Sequence, residues 1–596
     1  MSYAAPVKTI AFTLNEIAGL KKLAGHGAFA DLTPDLLEAV LEEGAKLAAG
    51  VLAPLNQSGD EEGVRLTGNA VTTARGFAGA YRQWVDGGWG SIAASVEFGG
   101  QGLPLSLAVA LQEMWNAANV AFGLCPILTQ GAIEALTAHG TPELQKTYLP
   151  KLISGEWTGT MNLTEPQAGS DLNALKSKAV PQEDGTYRIT GTKIFITYGE
   201  HDMAENIVHL VLARLPDAPA GTKGISLFLV PKFLVNADGT PGARNDVKCV
   251  GIEHKLGIHA SPTCTMAYGE DGGAIGWLIG QENRGLACMF TMMNNARLLV
   301  GTQGVAVAER ATQQALAYAR ERRQGRAAGS TAKPGDMDPI IVHPDTRRTL
   351  LTMKAYTEAA RSLCYATAIA LDCAHHGEDE AARREGQARA DLLTPIAKAF
   401  STDIAVEVAS MGIQVHGGMG FIEETGAAQY MRDARILPIY EGTNGIQAID
   451  LVTRKLPLGN GEVVRAFIRE MRETAERAKG SNHDGIGKMG AMLASELTLL
   501  DQATGHMLGC VKDAPNDALA GATPYLRQFG LVAGGHFLVL GALEAVKLDG
   551  DPFAASRLGV ATFYMENLLP QACGYLAAAT AGAAALFALD EEALAD

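Results

Sequence analysis

The string Ile439-Tyr440-Glu441-Gly442-Thr443 concentrates the features that a proton-abstracting site needs. A carboxylate set between an aliphatic and an aromatic side chain is drawn out of water, which raises its proton affinity toward working pH and makes it a usable base. Gly442, with no side chain, lets a substrate lie against the neighbouring backbone. The same Glu441 also reads as a carboxylate at a helix start, satisfied by the helix dipole. A second string, Thr164-Glu165-Pro166-Gln167-Ala168-Gly169-Ser170-Asp171, holds two hydroxyls on a loop shaped by Pro and Gly, so that hydroxyl and backbone N–H donors can face a polar ring edge or a phosphate. A capped turn is the alternative. In Lys193-Ile194-Phe195-Ile196-Thr197-Tyr198-Gly199, strand alternation puts Phe195 and Thr197 on one face, an aromatic to stack on a flat heterocycle and a hydroxyl to donate to it; plain core is the other reading. The glycines of Gln414-Val415-His416-Gly417-Gly418-Met419-Gly420-Phe421 let phosphates approach the backbone closely. The string follows a helical run ending near Met411, however, and lacks the strand and helix that frame a dinucleotide fingerprint. His416 reads as a hydrogen-bonded structural residue.

The elements that must position these residues fall into four textures. From about Leu36 to Leu152 apolar residues recur at three and four, as in Leu37, Val40, Leu41, Ala45 and Ala48, the mark of amphipathic helices, with a glycine-rich turn at Ser95 to Gly102. Between about Trp157 and Trp277 short β-rich runs follow one another without helices, which implies an antiparallel sheet or barrel. Helical periodicity returns from Asn283 to about Arg454, broken by a loop near Arg326 to Asp345, and an alanine-rich helical segment runs from about Leu456 to Asp596. The expected fold class is α+β, mostly α. Leu568 to Leu589 has the length of a membrane span but contains Pro570, Gln571, Gly574 and Gly582, so a packed helix is expected there.

Composition narrows the partners. The 596 residues carry 49 Lys and Arg against 65 Asp and Glu, a net charge of −16, which disfavours nucleic acid and anionic membrane surfaces. The segment after Leu456 repeats the bias, with 10 Lys and Arg against 17 Asp and Glu and no basic stripe. The eight cysteines show no Cys-x-x-Cys pair and no metal-like spacing with histidine, so reduced thiols and no metal site are expected. The opening residues lack the apolar core of a secretory signal, and a cytoplasmic location is expected.

In order and approximate spacing, Phe98-Gly99-Gly100-Gln101-Gly102, Thr164 to Asp171, the strand around Thr197, Arg297 opening a long helix, Gln414 to Gly420, Met431-Arg432-Asp433-Ala434 and Tyr440 to Thr443 together resemble the acyl-CoA dehydrogenase family. The resemblance implies an N-terminal helical domain (1–155), a middle β-barrel (156–280), a C-terminal four-helix domain (281–455) and an additional helical extension (456–596), enclosing non-covalent FAD and an acyl-CoA thioester. It implies that Glu441 takes the α-proton while the β-hydrogen leaves as hydride to the flavin, giving a trans-2-enoyl-CoA. Thr164 and Ser170 resemble the hydroxyls at the flavin ring edge, Ser170 also reaching the CoA arm. Phe195 stands where many relatives carry Trp, Thr197 resembles the hydroxyl near flavin N5, and Thr443 joins the cofactor contacts. Arg322 resembles the arginine that reaches the FAD pyrophosphate of a neighbouring subunit, and Gln414, Gly417 and Gly418 that subunit's contribution. Asn294, Arg297, Tyr440 and Gly442 fall at substrate-contacting positions.

Ala296 precedes Arg297 where some branches carry the base, which leaves Glu441 at the other family position. Gly325 departs from the aromatic that often follows the cofactor arginine, and the loop Ala327 to Asp338 looks long. The extension can cover the surface on which compact relatives form tetramers, so a homodimer is expected, with electron-transfer flavoprotein as electron acceptor. Length, opening residues and extension are similar to a bacterial subgroup that includes dehydrogenases of 3-(methylthio)propanoyl-CoA, and conversion of that thioester to 3-(methylthio)acryloyl-CoA is expected. Short- or medium-chain acyl-CoA dehydrogenation, an acyl-CoA oxidase and a DNA-associated flavoprotein of the same fold are the alternatives.

Overall fold

Asn119 and Thr141 start two helices of the N-terminal half, each side chain accepting from a backbone N–H three residues on, at 3.0 Å from Phe122 and 3.4 Å from Leu144. The first, Val120–His139, is apolar all round and buried along most of its length; the second, Pro142–Ser154, exposes one face and ends at Gly155 in the left-handed region, φ 86°. The computed structural model describes residues 3–331, 333, 335–548 and 550–595. The chain divides into two compact units: Glu43–Leu299 with residues 3–5, and Pro6–Glu42 with Val300 onward.

In the first unit, helices give way to an eight-stranded sheet. Its spatial order is Val247–Ile252, Thr263–Tyr268, Tyr187–Thr197, Ala274–Ile279, Ile225–Pro231, Asn206–Arg214 and Trp157–Asn162. The eighth strand, Lys178–Pro181, pairs with Tyr187–Thr197 and, through Lys178 opposite Arg214, with Asn206–Arg214, so that five strands close into a ring. This is the expected barrel. Most pairs are antiparallel, but Trp157–Asn162 runs parallel to Asn206–Arg214, because the hairpin of Lys178–Pro181 and Tyr187–Thr197 lies between them in the chain and supplies the long crossover a parallel pair requires. Ile189, Ile196, Val211, Phe228, Cys264 and Met266 fill one face of the sheet, while Leu136, Leu149, Trp157, Leu210 and Leu227 join the helices to the other.

One strand breaks its own alternation. Met266 pairs with Lys193 and Cys264 with Ile196, which leaves Ile194 and Phe195 opposite the single residue Thr265, and Phe195 takes φ 60°. This β-bulge reverses the facing of the strand. Alternation counted from the buried Lys193 would turn Phe195 inward; the inserted residue instead leaves Phe195 58% exposed beside Ile196 at 2%.

In the second unit, helices Pro344–His376 and Glu380–His416 form an antiparallel pair joined at Gly377, with Asp379 capping the second by accepting from Ala382 N at 2.8 Å. Helix Gly285–Glu321 contributes its later turns here, and Gly304 lies so close to Ser401 that a Cβ would meet the Ser401 carbonyl oxygen at 2.5 Å. Of the C-terminal helices, Glu462–Lys479 and Pro515–Ala545 pack on this pair and Asp484–Asp513 packs on those two, and Gly530 permits contact with the Phe400 ring, 2.4 Å from where its Cβ would stand. The N-terminal helix Val7–Phe12 joins the same unit: Phe12 meets Phe553 edge-on at 5.4 Å and Lys8 pairs with Asp551 at 2.7 Å.

Two expectations need correction. The stretch 568–589 is not a single helix, since Gln571–Thr580 spans only 10 residues and is followed by turns that expose Leu586, Phe587 and Leu589. Pro570 precedes its first turn and Gly582, at φ 76°, takes a conformation no helix continues through. Two other helices, Val120–His139 and Pro515–Ala545, are long and apolar enough to cross a membrane by length and composition, and 83% of each apolar window is buried inside the protein. The second correction concerns Arg297, which does not open its helix. The helix begins at Gly285 because the run before Arg297 already has helical periodicity, and Arg297 is a buried interior residue. Within the expected long loop Ala327 to Asp338, residues 332 and 334 lie outside the described residues; the base of the loop is closed by Asp338 N donating to Gly325 O at 2.9 Å and Ile340 N to Arg322 O at 2.8 Å.

Candidate active site

The turn 438–443 is built around two left-handed residues, Glu441 at φ 56° and Gly442 at φ 85°. Gly442 adopts this at no steric cost, whereas Glu441, which has a Cβ, pays about 1–3 kcal/mol and needs its surroundings to hold it there. They do so from several sides. Asn444 N donates to Pro438 O at 3.0 Å. Lys398 Nζ donates to Gly442 O at 2.9 Å and to Asn444 Oδ1 at 2.8 Å, and Gln447 Nε2 donates to the carbonyls of Glu441 and Gly442, each at 3.2 Å. Asn444 Nδ2 donates to Asp403 Oδ1 at 2.7 Å, and the Tyr440 hydroxyl donates to Gln303 Oε1.

Thr443 is the cap of the following helix Asn444–Asp450, accepting from Ile446 N at 3.3 Å. Thr443 thus supplies a side-chain cap at this helix start, and the group accepting from Ile446 N is its hydroxyl, not the Glu441 carboxylate. Of the two neighbours expected to dry it, Tyr440 is tucked in, and burial, followed by the adjacent Glu441 charge, pushes its phenol well above the ordinary value. Ile439 is 46% exposed in the chain, so it does not dry the carboxylate as expected.

Gln414 lies in the last turn of helix Glu380–His416, which runs on beyond Met411 and stops at Gly417, φ 61°, whose N–H donates to Gln414 O. Gln414, Gly417 and Gly418 are exposed, and no atom stands within 4 Å of a Cβ built on either glycine. His416 is structural, as expected: its Nδ1 donates to Gly412 O at 2.7 Å and its ring stacks on Tyr318 at 4.4 Å. Arg322 follows the end of helix Gly285–Glu321 with its side chain exposed.

In the other unit the loop of Thr164 is fastened by Glu165. Glu165 and Ala168 exchange both backbone hydrogen bonds at 3.0 Å, and the buried carboxylate accepts from Lys193 Nζ at 2.8 Å, Ser177 Oγ at 2.6 Å, Ser177 N at 3.1 Å, Lys176 N at 2.7 Å and Gln167 Nε2 at 2.6 Å. Burial works to raise this carboxyl, but the Lys193 ammonium and these bonds overcome it and hold the group at about 2. Lys193 also donates to Leu163 O at 3.1 Å and Ile194 N to Thr164 O at 2.9 Å, so the loop is tied to the bulged strand just before Phe195. Thr164 and Thr197 are half-buried and Ser170 is exposed. Sequence reasoning missed the Glu165–Lys193 pair; its only sign was a lysine at what proves to be an inward strand position. Asn294 and Arg297 are neighbours on their helix, Arg297 Nη1 donating to Asn294 Oδ1 at 3.5 Å.

The predicted residues thus gather within each unit: Tyr440 to Thr443 on buried supports in one, and Thr164, Phe195 and Thr197 around a bulge in the other. Among the described residues no three His, Cys, Asp or Glu side chains are grouped to hold a metal ion, and all eight cysteines are free thiols.

Four family descriptions match the chain in sequence order. They are "Acyl-CoA dehydrogenase, N-terminal domain" over residues 37–156, "Acyl-CoA dehydrogenase, middle domain" over 160–269, "Acyl-CoA dehydrogenase, C-terminal domain" over 283–456 and "Acetyl-CoA dehydrogenase C-terminal like" over 467–590. The chain is 48% identical over 574 residues to the 3-methylmercaptopropionyl-CoA dehydrogenase of Ruegeria pomeroyi, an alignment covering 96% of each protein. It is 35% identical over 617 residues to a butyryl-CoA dehydrogenase of Syntrophomonas wolfei, covering 99% of each. Among solved structures, Caenorhabditis elegans ACDH-11 in complex with C11-CoA shares the fold, with a TM-score of 0.78 and 21% identity over 95% of this chain and 92% of that one. The chain belongs to the acyl-CoA dehydrogenase family, and is an FAD-dependent oxidoreductase with the family's three domains and an additional domain at its C-terminus.

Proposed function

We propose that the protein dehydrogenates 3-(methylthio)propanoyl-CoA to 3-(methylthio)acryloyl-CoA, with Glu441 as the base. The observation that carries the assignment of the base is the strained turn: Glu441 sits in the left-handed region with its own carbonyl and that of Gly442 tied down, while Thr443 takes the capping duty. Strain of this kind persists where the surroundings over-determine it, and it clusters at sites of chemistry. The choice of acyl group rests on the 48% identity to the Ruegeria pomeroyi enzyme; the Syntrophomonas wolfei relative makes a short fatty acyl-CoA the second reading.

The residues present suit FAD. Phe195, a large aromatic carried outward on a bulge, offers a face to a flat ring, the hydroxyls of Thr164, Ser170 and Thr197 offer donors, and Gly417 and Gly418 leave open space beside the backbone. FAD, when bound, supplies the hydride acceptor. Thr443 joins these contacts, and Arg322, Gln414, Gly417 and Gly418 serve the cofactor of an adjoining subunit in a homodimer. Asn294, Arg297, Tyr440 and Gly442 are assigned to substrate contact on the family resemblance.

The α-proton of a thioester is too weakly acidic for an unaided carboxylate, so charge growing on the thioester oxygen has to be met by a donor. Glu441 N–H is the donor this chain supplies, worth a few kcal/mol in a water-excluded site, and a positioned carboxylate adds about 10²- to 10⁴-fold. Electron-transfer flavoprotein receives the electrons. A cytoplasmic setting agrees with eight unpaired thiols, five of them buried.

The test is anaerobic bleaching of the bound flavin by 3-(methylthio)propanoyl-CoA and by butyryl-CoA. Faster bleaching by the methylthio compound is expected; faster bleaching by butyryl-CoA moves the assignment to short-chain fatty acids, and rapid peroxide release in air moves it to an oxidase.

A further inference from the structure

The turn of Glu441 is held from inside the protein by two side chains that never reach solvent. Lys398, on helix Glu380–His416, and Gln447, on helix Asn444–Asp450, are both 0% exposed. They grip the two carbonyls that follow the two left-handed residues: Lys398 that of Gly442, Gln447 those of both Glu441 and Gly442. A buried ammonium gives up its hydration, and an apolar residue of similar length would fill the same slot without that cost. Packing is thus a poor reason for a lysine. What its ammonium does that a methyl group cannot is fix the orientation of a peptide. With both carbonyls drawn inward, the peptides at Glu441 and Gly442 are fixed in orientation, and with them the Cα–Cβ bond from which the Glu441 side chain departs.

The second bond of Lys398 strengthens the case. Its ammonium also meets Asn444 Oδ1, whose amide in turn donates to Asp403 Oδ1, Thr402 Oγ1 and Ala399 O at 2.7, 3.0 and 3.2 Å. The first helical residue after the turn is thereby anchored to the same helix that supplies Lys398, and the turn is stretched between fixed points.

We propose that Lys398, assisted by Gln447, is a positioning residue for proton abstraction, locking the left-handed turn so that Glu441 faces the α-carbon of the bound thioester. This rests on the assignment of Glu441 as the base. Since neither side chain is assigned to touch the substrate, their loss is expected to fall on the chemical step and to spare binding.

The experiment compares Lys398→Met and Gln447→Met in the FAD-loaded full-length protein. Binding is read with acetyl-CoA, which has no β-carbon and cannot react; chemistry is read as the rate of anaerobic flavin bleaching by 3-(methylthio)propanoyl-CoA and by butyryl-CoA. The expected result is acetyl-CoA affinity within about 3-fold of native, with bleaching slowed about 100-fold in Lys398→Met and about 10-fold in Gln447→Met, the scale on which a misplacement of about 1 Å acts. Native bleaching rates, or rates that fall only in step with acetyl-CoA binding, would overturn the proposal. If Lys398→Met does not fold, Gln447→Met decides alone, because it leaves the ammonium in place. Glu441→Gln separates the two assignments: native bleaching in that variant removes the base, whereas an inert Glu441→Gln beside native Lys398→Met and Gln447→Met removes only the positioning role.

Discussion

Arg389 and Glu470 meet in a two-pronged ion pair, one contact at 2.9 Å, that joins helix Glu380–His416 to the first helix of the C-terminal extension. The Arg389 guanidinium also lies 5.0 Å from the Phe467 ring centre, and His536 is buried edge-on to the same ring at 5.9 Å. Both partners are part-exposed, so solvent screens the pair and its worth is near that of one charge-assisted hydrogen bond, about 1–3 kcal/mol. Arg389→Ala is expected to loosen the extension locally, seen as faster amide exchange in Glu462–Lys479 and Pro515–Ala545. Unchanged protection there would show that the apolar contacts alone hold this joint.

Glu441→Gln keeps the volume of the side chain and removes the base. The variant is expected to retain FAD and fold normally while bleaching by an acyl-CoA falls about 10²- to 10⁴-fold. Stopped-flow absorbance of the flavin checks this, and a near-native rate would place the base elsewhere.

Lys193 and Glu165 tie the loop of Thr164 to the bulged strand from inside the protein, at 2.8 Å. Lys193→Met leaves the Glu165 charge buried without its cation, which costs about 3–5 kcal/mol. The pair of changes Lys193→Met with Glu165→Gln removes that charge and is expected to recover much of the loss. Urea midpoints of the singles and the double form the cycle; a double variant no better than Lys193→Met would mean that the other hydrogen bonds of Glu165, not its charge, hold the loop.

Acid is expected to destabilise the fold in two windows. His201, His209 and His536 are buried and pulled down by burial, to about 3, 3 and 4 from an ordinary 6.5. They stay neutral in the folded protein while the unfolded chain takes up protons below 6.5, so stability falls with decreasing pH from there toward 3, by about 1.4 kcal/mol per unit for each group. Glu165 lies at about 2 against 4.5, so its contribution is whole above 4.5 and is lost as pH falls toward 2. Thermal midpoints between pH 8 and 4 check the first window; a flat profile across it would show these histidines already protonated in the native state.

Phe195 stands on the bulge with most of its ring in solvent, so Phe195→Ala is expected to change the thermal midpoint of the FAD-free protein by no more than a degree or so, and to weaken FAD binding, stacking on an aromatic being worth about 0.5–1.5 kcal/mol. Titration of the FAD-free protein with FAD measures this, and unchanged affinity would remove Phe195 from the cofactor site.

The strings around Thr164, Phe195, Gln414 and Glu441 were legible because each is local: a loop, a strand, a helix end and a turn, written in a few adjacent residues. The run of strands without helices likewise foretold a sheet or barrel, since chain order and strand spacing are properties of the line, and the family resemblance chose the barrel. Facing was harder. Phe195 points outward because Lys193 and Ile196 pair with Met266 and Cys264, and a bulge depends on a partner strand that no local pattern names.

The sequence by itself determined which residue types stand together, where helical stretches give way to strands and back, and the family of the whole. Tertiary structure decided what holds them: that Lys398, 44 residues before Gly442, lies beneath the base turn, and that Lys193, 28 residues after Glu165, ties down the loop of Thr164. A buried polar group has to find its partner wherever the packed fold brings one, and that distance through space has no trace along the chain.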